Sequence, residues 1–145
     1  MRWASLAGPA GWVVLALVIV GCAGPSARSV TPARLGWVQT GEASWYGVPY
    51  HGRPTASGEV YDMYKLTAAH PTLEMGTRVL VTNRDTGRSV EVRINDRGPF
   101  KRGRILDLSY AAAQRVGAVG PGVIPVRLVV VGLPDGTRAV GWAPR

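Results

Sequence analysis

The segment Val90-Glu-Val-Arg-Ile-Asn-Asp-Arg-Gly-Pro-Phe100 gathers two carboxylates, two guanidiniums and an amide next to a turn. Val90, Val92 and Ile94 alternate with polar residues, which puts one face of an extended strand in a core and the other in water. Gly98-Pro99 then stops the strand. Asp96 stands where a rigid strand ends, a place from which a carboxylate can be presented at the mouth of a barrel. One carboxylic acid so placed has the chemistry to protonate the leaving oxygen of a glycosidic bond. Aspartate also stabilises turns, and the local pattern leaves both roles open.

The other chemistry-bearing side chains are more scattered. Glu59 and Asp62 lie in the polar loop Ser57-Gly-Glu-Val-Tyr-Asp62 and by themselves read as solvated acids. His70 precedes Pro71, which biases it to an extended conformation at a strand end. A charged histidine beside a carboxylate would depress the pKa that a proton donor needs raised. His70 is therefore expected neutral, either orienting a sugar or carboxylate by hydrogen bonding or satisfied structurally. Trp45 and Tyr46 fall on opposite faces of a regular strand, so one of the two rings lines a groove. Flat rings suit pyranose faces and fill cores equally well. Arg97 either pairs with a substrate carboxylate or faces solvent. His51, His70 and the single cysteine share no ligand spacing, and the glycines punctuate turns, so no metal and no cofactor are expected.

These groups must be carried by short strands. Strand-like runs cover Val38–Tyr46, Lys65–Ala68, Arg78–Thr82, Ser89–Ile94, Ile105–Leu108 and Val126–Val131, with turn residues between them. Arg84-Asp-Thr-Gly87 reads as a hairpin connection. Ser109 suits an N-cap, Tyr110–Val116 a helix, and Gly117 its C′ position. Six short strands and a small helix favour a closed β-barrel, because closure removes exposed edges.

Before the barrel, Met1-Arg2-Trp3 and an apolar run to Val20 read as a signal segment. The uncharged stretch is long enough to span a bilayer, but Gly8, Pro9 and Gly11 stand against a permanent helix. Ile19-Val20-Gly21-Cys22 resembles a lipoprotein lipobox, which implies removal of residues 1–21 and acylation of Cys22. As the lone cysteine, Cys22 excludes an internal disulfide. Residues 22–37 read as a flexible tether, 38–133 as the folded domain and 134–145 as a frayed tail. The charge of +8, from 17 basic and 9 acidic residues, suits either solubility or an anionic partner. The basic residues are dispersed, so no nucleic acid is expected and an anionic cell wall is.

Six segments in order, Gly41-Glu-Ala-Ser-Trp-Tyr-Gly47, Thr55-Ala-Ser-Gly-Glu59, Leu66-Thr-Ala-Ala-His70, Gly76-Thr-Arg-Val79, Arg93-Ile-Asn-Asp-Arg-Gly-Pro-Phe100 and Ile105-Leu-Asp-Leu-Ser109, resemble the RlpA (rare lipoprotein A) family. The resemblance covers Thr40 to Leu133. It implies a mainly β fold, a six-stranded double-psi β-barrel shared with expansins and barwin-like proteins. It also implies a lytic transglycosylase that cuts MurNAc-β-1,4-GlcNAc bonds of peptidoglycan and leaves 1,6-anhydro-muramyl ends, in some members preferring strands without stem peptides. Asp96 matches the family's catalytic acid; Glu59, Asp62 and His70 match further active-site residues. Trp45, Tyr46, Asn95, Arg97 and Phe100 complete the site as substrate-binding candidates, with Arg97 suited to the muramyl lactyl carboxylate.

Such an enzyme needs no water, because the sugar's own C6 hydroxyl attacks the anomeric carbon. Its acid must stay partly protonated near neutral pH, through burial or like charge. Glu59 and Asp62 are expected to supply the charge, and Trp45, Tyr46 and Phe100 an apolar wall. A non-catalytic, expansin-like glycan-binding module is the alternative, and a hydrolase using Glu59 or Asp62 as base a third reading. The chain ends about a dozen residues after its last strand, so no SPOR domain is expected. The expected setting is a monomer, lipid-anchored at the outer membrane facing the periplasm, or at the plasma membrane of a single-membrane host.

Overall fold

The computed structural model describes residues 29–142. The signal segment and Cys22 lie outside the described residues. Among the described residues, six strands form one closed barrel: β1 (Val38–Tyr46), β2 (Thr67–Ala69), β3 (Arg78–Asn83), β4 (Ser89–Asp96), β5 (Arg104–Ser109) and β6 (Ile124–Gly132). Around the barrel the order is β1-β5-β2-β4-β3-β6. The pairs β1/β5 and β2/β4 are parallel, and every other neighbour is antiparallel. Each expected strand is present, with ends shifted by a few residues. The inward positions Val79 and Val81, Val92 and Ile94, Leu106 and Leu108, and Val126, Leu128 and Val130 are fully buried. This is the alternation by two seen in the sequence.

Helix α1 (Tyr110–Val116) starts and stops as its caps dictate. The Ser109 hydroxyl accepts from the Ala112 N–H at 3.2 Å, and Gly117 takes the left-handed conformation (φ 73°). Ala112, Ala113 and Val116 bury its inner face against the barrel. A short 3-10 turn, Val48–Tyr50, follows β1.

Two segments are more ordered than their composition suggested. The end of the expected tether docks on the domain: Thr31 pairs with the Leu73 region and its N–H donates to Thr72 O at 2.8 Å. The Gly36 N–H reaches Val130 O at 2.8 Å, and Trp37 packs on the core and edge-on to His70. The tail after Leu133 also folds back. Arg138 bonds both oxygens of Glu91, and the Trp142 indole N–H donates to Glu91 Oε2 at 2.8 Å. Composition reports average flexibility, whereas these residues are held by specific partners on β4, β6 and the loop after β2.

Candidate active site

Both parallel pairs carry a one-residue bulge, and the bulges decide what the cleft contains. In β2/β4, Ala68 opposes Ile94 while Ala69 opposes Asp96, leaving Asn95 as the extra residue. In β1/β5, Glu42 opposes Arg104 while Ala43 opposes Leu106, leaving Ile105 extra. Strict alternation would set Asp96 on the core side with Ile94, and Arg104 with Leu106. A bulge re-aims the neighbouring side chain, and both residues instead line an open cleft of about 960 Å³. Gly41 makes room for the second bulge: a Cβ there would lie 2.7 Å from Ile105 Cγ2.

Strand pairing then lays out a row. Ser44 opposes Asp107, Asp107 opposes Ala69, and Ala69 opposes Asp96. The two aspartates are thus two strands apart, about 10 Å between backbones, with only a methyl group between them. Gly98, at φ 123°, overlies this gap; a Cβ there would sit 4.0 Å from Asp107 Oδ2.

The two carboxylates are held differently. Asp107 is partly buried, and burial pushes its pKa up. The Ser44 hydroxyl, which donates a short hydrogen bond to Oδ1, and the Arg104 charge pull it down, while the Asp96 charge adds to the rise. The net shift is upward. Asp96 Oδ1 accepts two backbone N–H bonds, from Ala56 at 2.9 Å and Arg97 at 2.8 Å, which fix its orientation. Tyr46 stacks on Tyr61 with ring centres 4.4 Å apart, and its hydroxyl is buried without a partner. Burial, then the charge of Asp96 and the nearby Tyr61 and Asp107, push the phenol's pKa far up, so it remains a neutral donor.

The other candidates occupy distinct places. Trp45 and Tyr46 both line the cleft, where one ring was expected. Glu59 lies outside the cleft wall: Arg93 grips it with two bonds of 2.8 and 2.7 Å, which hold its carboxyl below the usual range. It therefore supplies a clamp to β4 where a like charge beside the acid was expected. Asp62 accepts from the Tyr64 N–H at 2.9 Å in a local turn, again away from the cleft wall.

His70 is 2% exposed. Its Nδ1 accepts from the Thr72 and Leu73 N–H groups at 3.1 and 2.9 Å, so Nε2–H donates to Gln39 Oε1 at 2.9 Å. Burial, then Arg97, lower it to about 4. It is neutral as expected, but it orients a loop and Gln39. Arg97 lines the cleft while its Nη1 donates to Leu73 O at 2.6 Å, so it braces the wall. Asn95 is buried, with its carbonyl accepting from the Ser57 N–H at 3.3 Å. Phe100 is exposed at the turn after β4. Among the described residues no cluster of His, Cys, Asp or Glu is arranged for a metal.

Asp107, Ser44, Arg104 and Arg53 are cleft residues that the sequence reading did not select. Asp107 had a visible signal, since it lies between Leu106 and Leu108 as a lone acid on a strand's outer face. Arg104 had none, because a bulge leaves no mark in residue types.

A family model described as lytic transglycolase matches residues 38–128. The chain is 52% identical over 103 residues to the endolytic peptidoglycan transglycosylase RlpA of Vibrio cholerae, covering 71% of this chain and 39% of that protein. To the RlpA of Pseudomonas aeruginosa it is 53% identical over 102 residues, 70% of this chain and 28% of that one. The chain thus spans less than two fifths of these relatives. In fold it is similar to a Streptomyces papain inhibitor (24% identity, TM-score 0.54, 66% of this chain and 94% of that one). It is also similar to an expansin of Clavibacter michiganensis (22%, TM-score 0.52, 66% and 50%). The match over nearly all six strands, together with half-identical RlpA relatives, places this chain in the lytic transglycolase family.

Proposed function

We propose that the chain is a lytic transglycosylase that cuts MurNAc-β-1,4-GlcNAc bonds of peptidoglycan glycan strands and leaves 1,6-anhydro-muramyl ends. The observation that carries this reading is the row Ser44–Asp107–Ala69–Asp96 at the floor of an open cleft. The acid role expected of Asp96 is assigned here to Asp107, whose carboxyl is made a weaker acid than an ordinary aspartate's by burial. Asp107 gives that proton to the glycosidic oxygen as the C1–O4 bond breaks. The C6 hydroxyl attacks C1, and the Asp107 carboxylate takes its proton, so no water enters. Asp96 faces the positive charge that develops on the sugar ring, fixed in advance by two backbone donors. Glu59, Asp62 and His70 act as positioning residues for the loop and strand ends around the cleft.

The setting belongs to the same proposal: export, a lipid on Cys22, residence at the outer membrane facing the periplasm and action as a monomer. The RlpA relatives, which are named as endolytic peptidoglycan transglycosylases, and the basic charge of +8 support a polyanionic wall as partner. The test incubates the full chain with purified sacculi and with strands stripped of stem peptides, and identifies products by mass. Anhydro-muramyl ends, lost in Asp107→Asn, are expected, with faster release from stripped strands. Binding without cleavage on both substrates, or reducing ends in place of anhydro ends, overturns the reading.

A further inference from the structure

Resting on that reading of the cleft, we infer that Arg104, assisted by Arg53, forms a subsite for a substrate carboxylate beside the scissile bond. Arg97, the cation nearest in sequence to the acids, has its Nη1 committed to backbone carbonyls. Arg104 differs. The bulge at Ile105 turns it out of the core row and into the cleft that holds Asp107, three residues along the same strand. Its Nε is buried without a hydrogen-bond partner. Its charge acts on Asp107, yet among the described residues it forms no ion pair with any acid. A guanidinium with an unpaired buried donor, next to an open cavity, is a half-built carboxylate fork.

Arg53 lines the same cleft on an exposed loop, its guanidinium 6.0 Å from the centre of the Tyr50 ring, and it too has no acidic partner among the described residues. The device that aims Arg104 is built into β1. Gly41 leaves the space that Ile105 fills, and a side chain there would collide with it. Glycan strands offer carboxylates of two origins near a MurNAc residue. One is the lactyl group on C3 when no peptide is attached. The other is the set of peptide carboxylates when the lactyl group has become an amide.

The test titrates the full chain with three small ligands that lack a MurNAc-β-1,4-GlcNAc bond and so cannot be cut. They are the disaccharide GlcNAc-β-1,4-MurNAc, the same disaccharide carrying its stem peptide, and N,N′-diacetylchitobiose, which has no carboxylate. At low salt one carboxylate ligand is expected to bind about tenfold tighter than chitobiose, as one charge-assisted pair allows. Arg104→Gln abolishes the difference, Arg104→Lys keeps part of it, and neither changes the chitobiose affinity. Preference for the bare disaccharide identifies the lactyl carboxylate, and preference for the peptide form identifies a peptide carboxylate. Should Arg104→Gln fail to fold, Arg53→Gln, on an exposed loop, is expected to lose about threefold of the same difference. Equal binding of all three ligands, or a difference that survives these variants, overturns the subsite. Because nothing is cleaved, an Arg104-dependent difference in a chain that releases no anhydro ends would sink the proposed activity and leave the subsite standing.

Discussion

Asp107 and Asp96 are the same chemical group in different surroundings, and the roles proposed for them rest on that difference. Asp107 is raised by burial and by the Asp96 charge, whereas the Asp96 carboxylate is gripped by backbone N–H groups. Asp107→Asn is expected to lower the release of anhydro ends by roughly a hundred- to ten-thousand-fold, the range for losing a positioned general acid. Because the acid must carry its proton, activity falls as pH rises through the Asp107 pKa. The Ser44 hydrogen bond holds that pKa down. Ser44→Ala is therefore expected to move the alkaline limb of the rate profile to higher pH, read from rates on stripped strands across the pH range. A limb that stays or moves down would remove Asp107 from the acid role. Asp96, Trp45 and Tyr46 could be picked out from residue type and position. Asp107 could have been, and Glu59 looked like a tuner of acidity only until its arginine partner was placed.

At the scale of elements, the parallel pairs and their bulges do the positioning. The strands could be read from alternation, the helix from Ser109 and Gly117, and the hairpin from its turn residues. The bulges could not, because the extra residue in each is set by pairing with a distant strand. Gly41→Ala is expected to destabilise the chain by about 1–3 kcal/mol, the cost of overpacking, since its Cβ would lie 2.7 Å from Ile105 Cγ2. Urea unfolding measures this. Glu59→Gln breaks the bidentate clamp on Arg93. Both side chains are about a third exposed, so the cost is about 0.5–1 kcal/mol in the same assay. The alkaline limb set by Asp107 should not move, since Glu59 lies off the cleft wall; a downward shift would restore Glu59 as a tuner.

For the molecule as a whole, barrel closure buries a few titratable groups, and His70 is one that acts in the mildly acidic range. Its folded value of about 4 lies below the ordinary 6.5, so the unfolded chain binds the proton first as pH falls. Stability is thus full above about 6.5 and falls by about 3 kcal/mol between 6.5 and 4. Glu59 and Glu91, both held down by their arginine bonds, withdraw support only below 4.5. Urea midpoints at pH 7, 5.5 and 4.5 should show the decline, and His70→Gln should flatten it. The amino-acid order by itself determined the strands, the helix, the turn that stops β4 and the presence of an acid there, because alternation, capping and turn chemistry act between near neighbours. Only the closed barrel decided that Asp107 stands level with Asp96, that Glu59 belongs to Arg93, and that Arg104 faces the cleft. Those facts depend on register between strands far apart in sequence, where one extra residue reverses the face a side chain presents.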